Sequence, residues 1–454
     1  MRLYKKIILA FVILGICSCE KPVVVPVESV REEEKEIVKE QYSPTPAPER
    51  VYSEQEQDET VPAEDLVPRK DISLTRTQAD YVKTGGNGFA INLFKALAGD
   101  ENMIISPLGV TFDLGMLDNG ALGNTKAEIE RVLGYSEGSA DSLNTFCNTL
   151  LESVKDIDPS TTIEIANAAV INSSRLPLLE DFKKVIESNY FAEVCSMDFR
   201  TEDVKGYINH WCDEKTHGLI SKILNNPPTD AEYAHFLNAV YFNGIWSNQF
   251  LKENTRREKF TDISDKTTTV NMMSKMDYCE YGVTDLGSVV VLPFGNKAFQ
   301  MILILPPENW KLDEFREALD LDSWNTFIKS PQYENVNVKI PSFEADYTED
   351  INETLQKLGM HDAFSPKANF KAMTEEDVIL SGVLHKAKIK VDEKGSVAAA
   401  VTDTYVASIA NAPGDSPKIV NFHADRPFIY AITEVSTGAI FFIGQYTGIV
   451  KTEE

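Results

Sequence analysis

The residues best suited to chemistry are few and scattered. Six histidines and six cysteines occur in 454 residues, and no reactive constellation forms from them. Metal-held or nucleophilic catalysis needs side chains at set spacings: HExxH on a helix, paired CxxC thiols, a GxSxG turn or a glycine-rich phosphate loop. None of these occurs. His210 and His217 lie seven residues apart and could share a helix face, yet nothing else completes a metal site. No catalytic residue, metal or cofactor is therefore expected, and the chain reads as a non-enzyme. Cys147, Cys195, Cys212 and Cys279 are widely spaced, which suits buried or half-buried thiols, although an exported protein could pair them.

The remaining two cysteines sit in a different setting. Arg2, Lys5 and Lys6 precede a short apolar run, Ile7 to Ile16, that is too short to span a bilayer, which takes roughly 20 apolar residues. The run ends in Ile16-Cys17-Ser18-Cys19, which looks like a bacterial lipobox, with a small residue before the cysteine that takes the lipid. Cys19 follows Ser18 and suits the pattern; Cys17 follows the bulkier Ile16 and suits it less. Residues 1–18 thus read as a lipoprotein signal peptide and Cys19 as a lipid anchor, which makes this an exported cell-envelope protein. Several acyl chains on one cysteine hold a protein firmly, at about 0.8 kcal/mol per buried CH₂.

The elements behind these residues divide in two. Residues 19–74 are rich in proline and glutamate, as in REEEKEIVKE and SPTPAPER, and cannot bury enough apolar surface to offset ordering entropy. They read as a tether, with a coil span near about 40 Å for about 50 residues. Residues 75–454 form the folded body. Phe89, Leu93, Phe94 and Leu97 make a helical stripe, Ser106-Pro107 opens a second helix and Asn124-Thr125 a third. Val289 to Phe294 and Phe299 to Leu305 suit a hairpin across Gly295-Asn296, Val336, Val338 and Ile340 alternate as in a half-buried strand, and Gly438 to Ile443 is a last buried one. The class is α+β. The net charge of −26 disfavours nucleic acid and charge-driven membrane contact.

Several segments in register resemble the serpin family: Asn102 to Pro107 with Met116 and Asn119 to Thr125; Ile208-Asn209, Trp211, Thr216 and Gly218 to Ile220; Leu237 to Trp246 with Phe250; Leu384 to Ala387; Asp425 to Phe428; Thr437 to Gly444. The resemblance runs from about Asn87 to Gly444. It implies helices around a five-stranded main sheet, two further sheets and an exposed reactive loop. It further implies irreversible inhibition of serine-type proteases, with cross-inhibition of cysteine proteases, by a monomer whose cut loop enters the main sheet. The alternative is a non-inhibitory serpin-fold binding protein of the envelope.

The reactive segment would be Glu393 to Ala410. Its hinge, Gly395, Ser396, Val397, Ala398, Ala399 and Ala400, is small and free of proline, as in inhibitory members. One alternating set, Ser396, Ala398, Ala400, Thr402, Thr404, Val406 and Ser408, is small or β-branched, and a sheet can close around it. Insertion of Ser396 to Ile409 would add a strand of roughly 45 Å. Counting from the hinge glycine places the reactive bond at Ile409-Ala410, whereas counting back from Pro427 places it near Ser416. Tyr405, Val406 and Ala407 are further candidates that suit elastase-, subtilisin- or chymotrypsin-like pockets, and the absence of arginine argues against trypsin-like targets. The resemblance also assigns Ser106, Asn238 and His385 to a buried polar cluster beneath the sheet opening, and Trp246 to the point of first insertion.

Overall fold

The computed structural model describes residues 67–136, 138, 140–396 and 418–449. The helices are α1 (Arg76–Tyr81), α2 (Asn87–Leu97), α3 (Pro107–Gly120), α4 (Gly123–Val132), α5 (Ala140–Ser153), α6 (Glu180–Tyr190), α7 (Val204–Lys215), α8 (Leu312–Ala318), α9 (Leu321–Lys329) and α10 (Asn352–Leu358). The strands are β1 (Met103–Ile105), β2 (Thr161–Asn172), β3 (Glu193–Met197), β4 (Ala234–Ile245), β5 (Arg256–Thr261), β6 (Thr267–Thr284), β7 (Gly287–Phe294), β8 (Phe299–Leu305), β9 (Gln332–Pro341), β10 (Phe343–Asp350), β11 (Leu384–Val391), β12 (Gly395–Ser396), β13 (Ile419–His423), β14 (Phe428–Glu434) and β15 (Ile440–Tyr446).

The strands make two sheets. The one that matters for function runs β10-β11-β12-β4-β2-β3. It has five full strands, with β12 as a two-residue wedge between β11 and β4. The other strands form one nine-stranded array in which the strands expected as two further sheets are joined through β6. The 18 residues of β6 pair with β5 at one end, β9 along the middle and β7 at the far end. The expected hairpin is β7–β8. Its turn needs Gly295, whose φ is +45° and where a Cβ would collide with Ser160 and Asp158.

Burial follows from these patterns. Alternate residues of β2 enter different cores: Ala169 and Ile171 join the main core, while Ala168 and Val170 face Ile208, Trp211 and Cys212 of α7. At β2 the sheet is therefore covered on both faces. Helix α3 is buried on nearly every side, as its apolar run demands, and threads behind the sheet. Its N-terminus is capped by Ser106, whose Oγ accepts from Gly109 N at 3.1 Å, with Pro107 at the first turn. Packing extends N-terminally as far as Ile72, which is buried and whose N–H donates to Ser436 Oγ.

Candidate functional site

The segment expected to act as a hinge follows β11. After Val391 the chain turns through Asp392, Glu393 and Lys394 and re-enters the sheet at Gly395. Asp392 makes the turn: its Oδ1 accepts from Lys394 N at 2.9 Å and Gly395 N at 3.3 Å, and its own N–H donates to Gly395 O at 2.9 Å. Gly395 then lies opposite Ile245, and Ser396 lies opposite Gly244 on one side and Val391 on the other. Ser396 is fully buried. Only glycine fits at 395, because a Cβ there would collide with Gly244 O and stand 2.8 Å from Ile245 Cα. Among the described residues β4 and β11 pair through β12 and not with each other. Among the described residues the two strands run parallel to each other, with Gly395 and Ser396 placed between them.

Trp246 holds this turn from the β4 side. Its backbone N–H donates to Lys394 O and its indole Nε1 to Asp392 O, both at 2.9 Å. The ring stacks on Phe294 with centroids 4.4 Å apart, and Phe250 N donates to Glu393 O at 3.0 Å. Thr255 Oγ1 donates to Glu393 Oε1 at 2.7 Å. Trp246 thus contacts the turn that leads into Gly395.

Further along these strands, the structure brings two of the three cluster residues into direct contact. Ser106 N donates to His385 Nε2 at 3.1 Å, and Ser106 Oγ donates to Phe441 O at 3.0 Å. Because Nε2 accepts, the imidazole proton sits on Nδ1. Burial pushes His385 down to about 4, so it is neutral at physiological pH. Asn238 does not bond to either residue. Its Nδ2 donates to Asn167 Oδ1 at 2.8 Å, and Asn167 Nδ2 in turn donates to Tyr190 O at 2.7 Å. Helix α3 links the two groups: it starts at Ser106, and Gly109, one turn on, lies so close to Asn238 Oδ1 that a Cβ would clash. Asn238 is on β4 and His385 on β11, so the cluster straddles the two strands.

Sequence reasoning missed Asp392, Asn167 and the Lys275–Asp277 pair near Trp246. The Asp392-Glu-Lys-Gly395 string is a recognisable turn signal. Asn167 carries no such signal, since its partners lie far along the chain. Lys275 and Asp277 form an ion pair of 2.7 Å, and Lys275 Nζ lies 4.7 Å from the Phe250 ring centre. Val397, Ala398, Ala399, Ala400, Tyr405, Val406, Ala407, Ile409, Ala410, Ser416 and Cys19 lie outside the described residues. Helix α7 ends at Lys215, so His217, in a left-handed turn beyond it, shares no helix face with His210 and instead meets Glu164 at 3.0 Å. Cys147, Cys195, Cys212 and Cys279 are all free, and burial pushes the Cys212 and Cys279 thiols up to about 12.

Comparison with known proteins agrees with this geometry. Residues 84–449 match the family model described as Serpin (serine protease inhibitor). Iripin-2 of Ixodes ricinus is 30% identical over 368 residues, covering 79% of this chain and 91% of the relative. Leukocyte elastase inhibitor of Sus scrofa is 30% identical over 381 residues, covering 81% and 99%. Among solved structures, the thermophilic serpin Tengpin in its native state superposes with a TM-score of 0.74 at 30% identity, covering 84% of this chain and 96% of that one. Thyroxine-binding globulin in complex with thyroxine has a TM-score of 0.72 at 25% identity, covering 83% and 100%. Family membership supports protease inhibition in general, and the chain belongs to the serpin family.

Proposed function

We propose that the chain is an irreversible inhibitor of serine-type proteases that traps its target as an acyl-enzyme. The observation that carries this reading is the separation of β4 from β11: among the described residues they are joined through Gly395 and Ser396, the first residues of a proline-free, small-residue segment. The protease serine would attack the carbonyl carbon of Ile409, forming an ester and releasing the amine of Ala410. Entry of the cut segment between the two strands would then compete with attack of water on that ester. If the register of β12 is continued residue by residue, Thr402 comes opposite both Asn238 and His385. A small hydroxyl residue would thus arrive at the straddling polar cluster, where it can be hydrogen-bonded rather than stranded.

The residue types from Tyr405 to Ile409 favour elastase-, subtilisin- or chymotrypsin-like targets, and the similarity to leukocyte elastase inhibitor runs the same way. The N-terminal pattern extends the proposal to a protein held at the cell envelope through lipid on Cys19, with residues 19–74 as a tether and the body outside the cytoplasm. The similarity to thyroxine-binding globulin keeps a second reading, a binding protein with the same fold. Incubation with elastase, subtilisin, chymotrypsin and trypsin separates them. The proposal expects a detergent-stable adduct of summed mass with one or more of the first three, and a released C-terminal fragment whose mass gives the reactive bond. Cleavage by all four with no adduct would favour the binding protein.

A further inference from the structure

The flank of the nine-stranded array that begins at Ile419 carries an apolar face with no partner among the described residues. Of the five large apolar side chains more than half exposed among the described residues, four stand together here: Met276 at 54%, Tyr278 at 61%, Tyr333 at 55% and Ile419 at 54%. They come from three adjacent strands. On β6 the even-numbered residues Met276 and Tyr278 point outward while Cys279 is buried behind them. Antiparallel register sets Met276 opposite Asn337 and Tyr278 opposite Asn335, and parallel register sets Ile419 opposite Asn335. The rings of Tyr278 and Tyr333 meet at 5.5 Å. Asn337 Nδ2 donates to Asn421 Oδ1 at 3.0 Å and lies 3.0 Å from His423 Nε2, which forms a polar rim bordered by the Lys339–Glu258 ion pair, Lys339 lying opposite His423.

We infer that this face is a docking platform for the body of the target protease, separate from the bond the protease attacks. The inference rests on the inhibitory reading above. Continuity identifies the occupant. Ser396 is in the main sheet, and the next described residue along the chain is Lys418, one residue before Ile419 of the nine-stranded array. A protease holding any bond in that interval is tethered to this edge by the chain itself. The chemistry agrees: tyrosine and methionine are enriched at interface centres, where charge is depleted, and tyrosine often dominates binding energy. On a chain of net charge −26, these paired rows contribute one carboxylate, Glu280, opposite Tyr333. A second copy would be repelled by its own like charge, so it is the less favoured occupant.

The test uses the full chain and whichever of pancreatic elastase or subtilisin forms the adduct. Association rate and inhibition stoichiometry are measured for wild type, the double variant Tyr278→Ser/Tyr333→Ser, the single variant Met276→Ser and the control Val283→Ser, an exposed position further along β6. Loss of two interface tyrosines is expected to slow association about tenfold with stoichiometry unchanged. Met276→Ser should slow it less, and Val283→Ser should leave it unchanged. Equal rates for wild type and both platform variants would overturn the platform while the adduct itself upheld the inhibitory reading. Wild-type self-association that the double variant abolishes would assign the face to a second copy and overturn the inference. Absence of any adduct with wild type would defeat the inhibitory reading, and this inference with it.

Discussion

Acidification should weaken the fold through His385, and the size of the effect can be worked from its environment. The imidazole accepts the Ser106 N–H at Nε2 and is buried, which pushes it down to about 4 from its ordinary 6.5. The unfolded chain therefore takes up this proton at higher pH than the folded one. The stabilisation is fully present above pH 6.5 and is lost as pH falls through the window toward 4. At about 1.4 kcal/mol per pH unit the whole window is worth about 3 kcal/mol, of which about 2 kcal/mol falls between pH 7 and pH 5. Asp118 acts in the opposite sense: burial, only partly offset by Lys126, raises it to about 6, so its protonation favours the fold over much of the same window. The wild-type profile alone mixes these with other shifted groups, among them His423, which is lowered, and buried Asp113, which is raised. His385→Gln keeps an acceptor for the Ser106 amide but cannot be protonated. Urea unfolding followed by tryptophan fluorescence at pH 7, 6 and 5 should show wild type losing about 2 kcal/mol relative to this variant. A variant with the wild-type pH slope would refute the reasoning.

Three other outcomes follow from the same geometry. Trp246→Ala removes the stack on Phe294 and the indole hydrogen bond to Asp392, and should cost about 3–5 kcal/mol in urea unfolding. Thr402→Arg would force a long cation into the slot between Asn238 and His385, so gels should show the variant cut as a substrate with adduct yield falling toward zero. Cys19→Ser should abolish lipid attachment, moving the full chain from the detergent to the aqueous phase on Triton X-114 partition.

Much of the local structure was legible because it is signalled locally. Ser106-Pro107 marks a helix start through capping chemistry, and the apolar runs flanking Gly295-Asn296 mark a hairpin through period and turn. Trp246 was singled out by its motif, and the structure sets it against the Asp392–Lys394 turn. Less was legible where partners are remote. Ser106 and His385 are 279 residues apart, and nothing in either neighbourhood specifies that they bond directly while Asn238 turns to Asn167. The joining of two expected sheets through β6 was also hidden. Its 18 residues mix exposed and half-buried positions with no clean alternation, because different stretches meet different strands. The same mixing concealed the Met276–Tyr278 face: outward apolar residues on a strand look like core residues until the covered side is known.

The central claim is that the cut segment enters the slot between β4 and β11. It is tested most directly by the melting temperature of the full chain before and after a single cut between residues 397 and 417. Insertion would add a central strand and complete the ladder on both facing edges, so the cut form should melt tens of degrees higher. A cut chain that melts at or below the uncut one would mean that the slot does not accept the segment, and the trapping mechanism would fail.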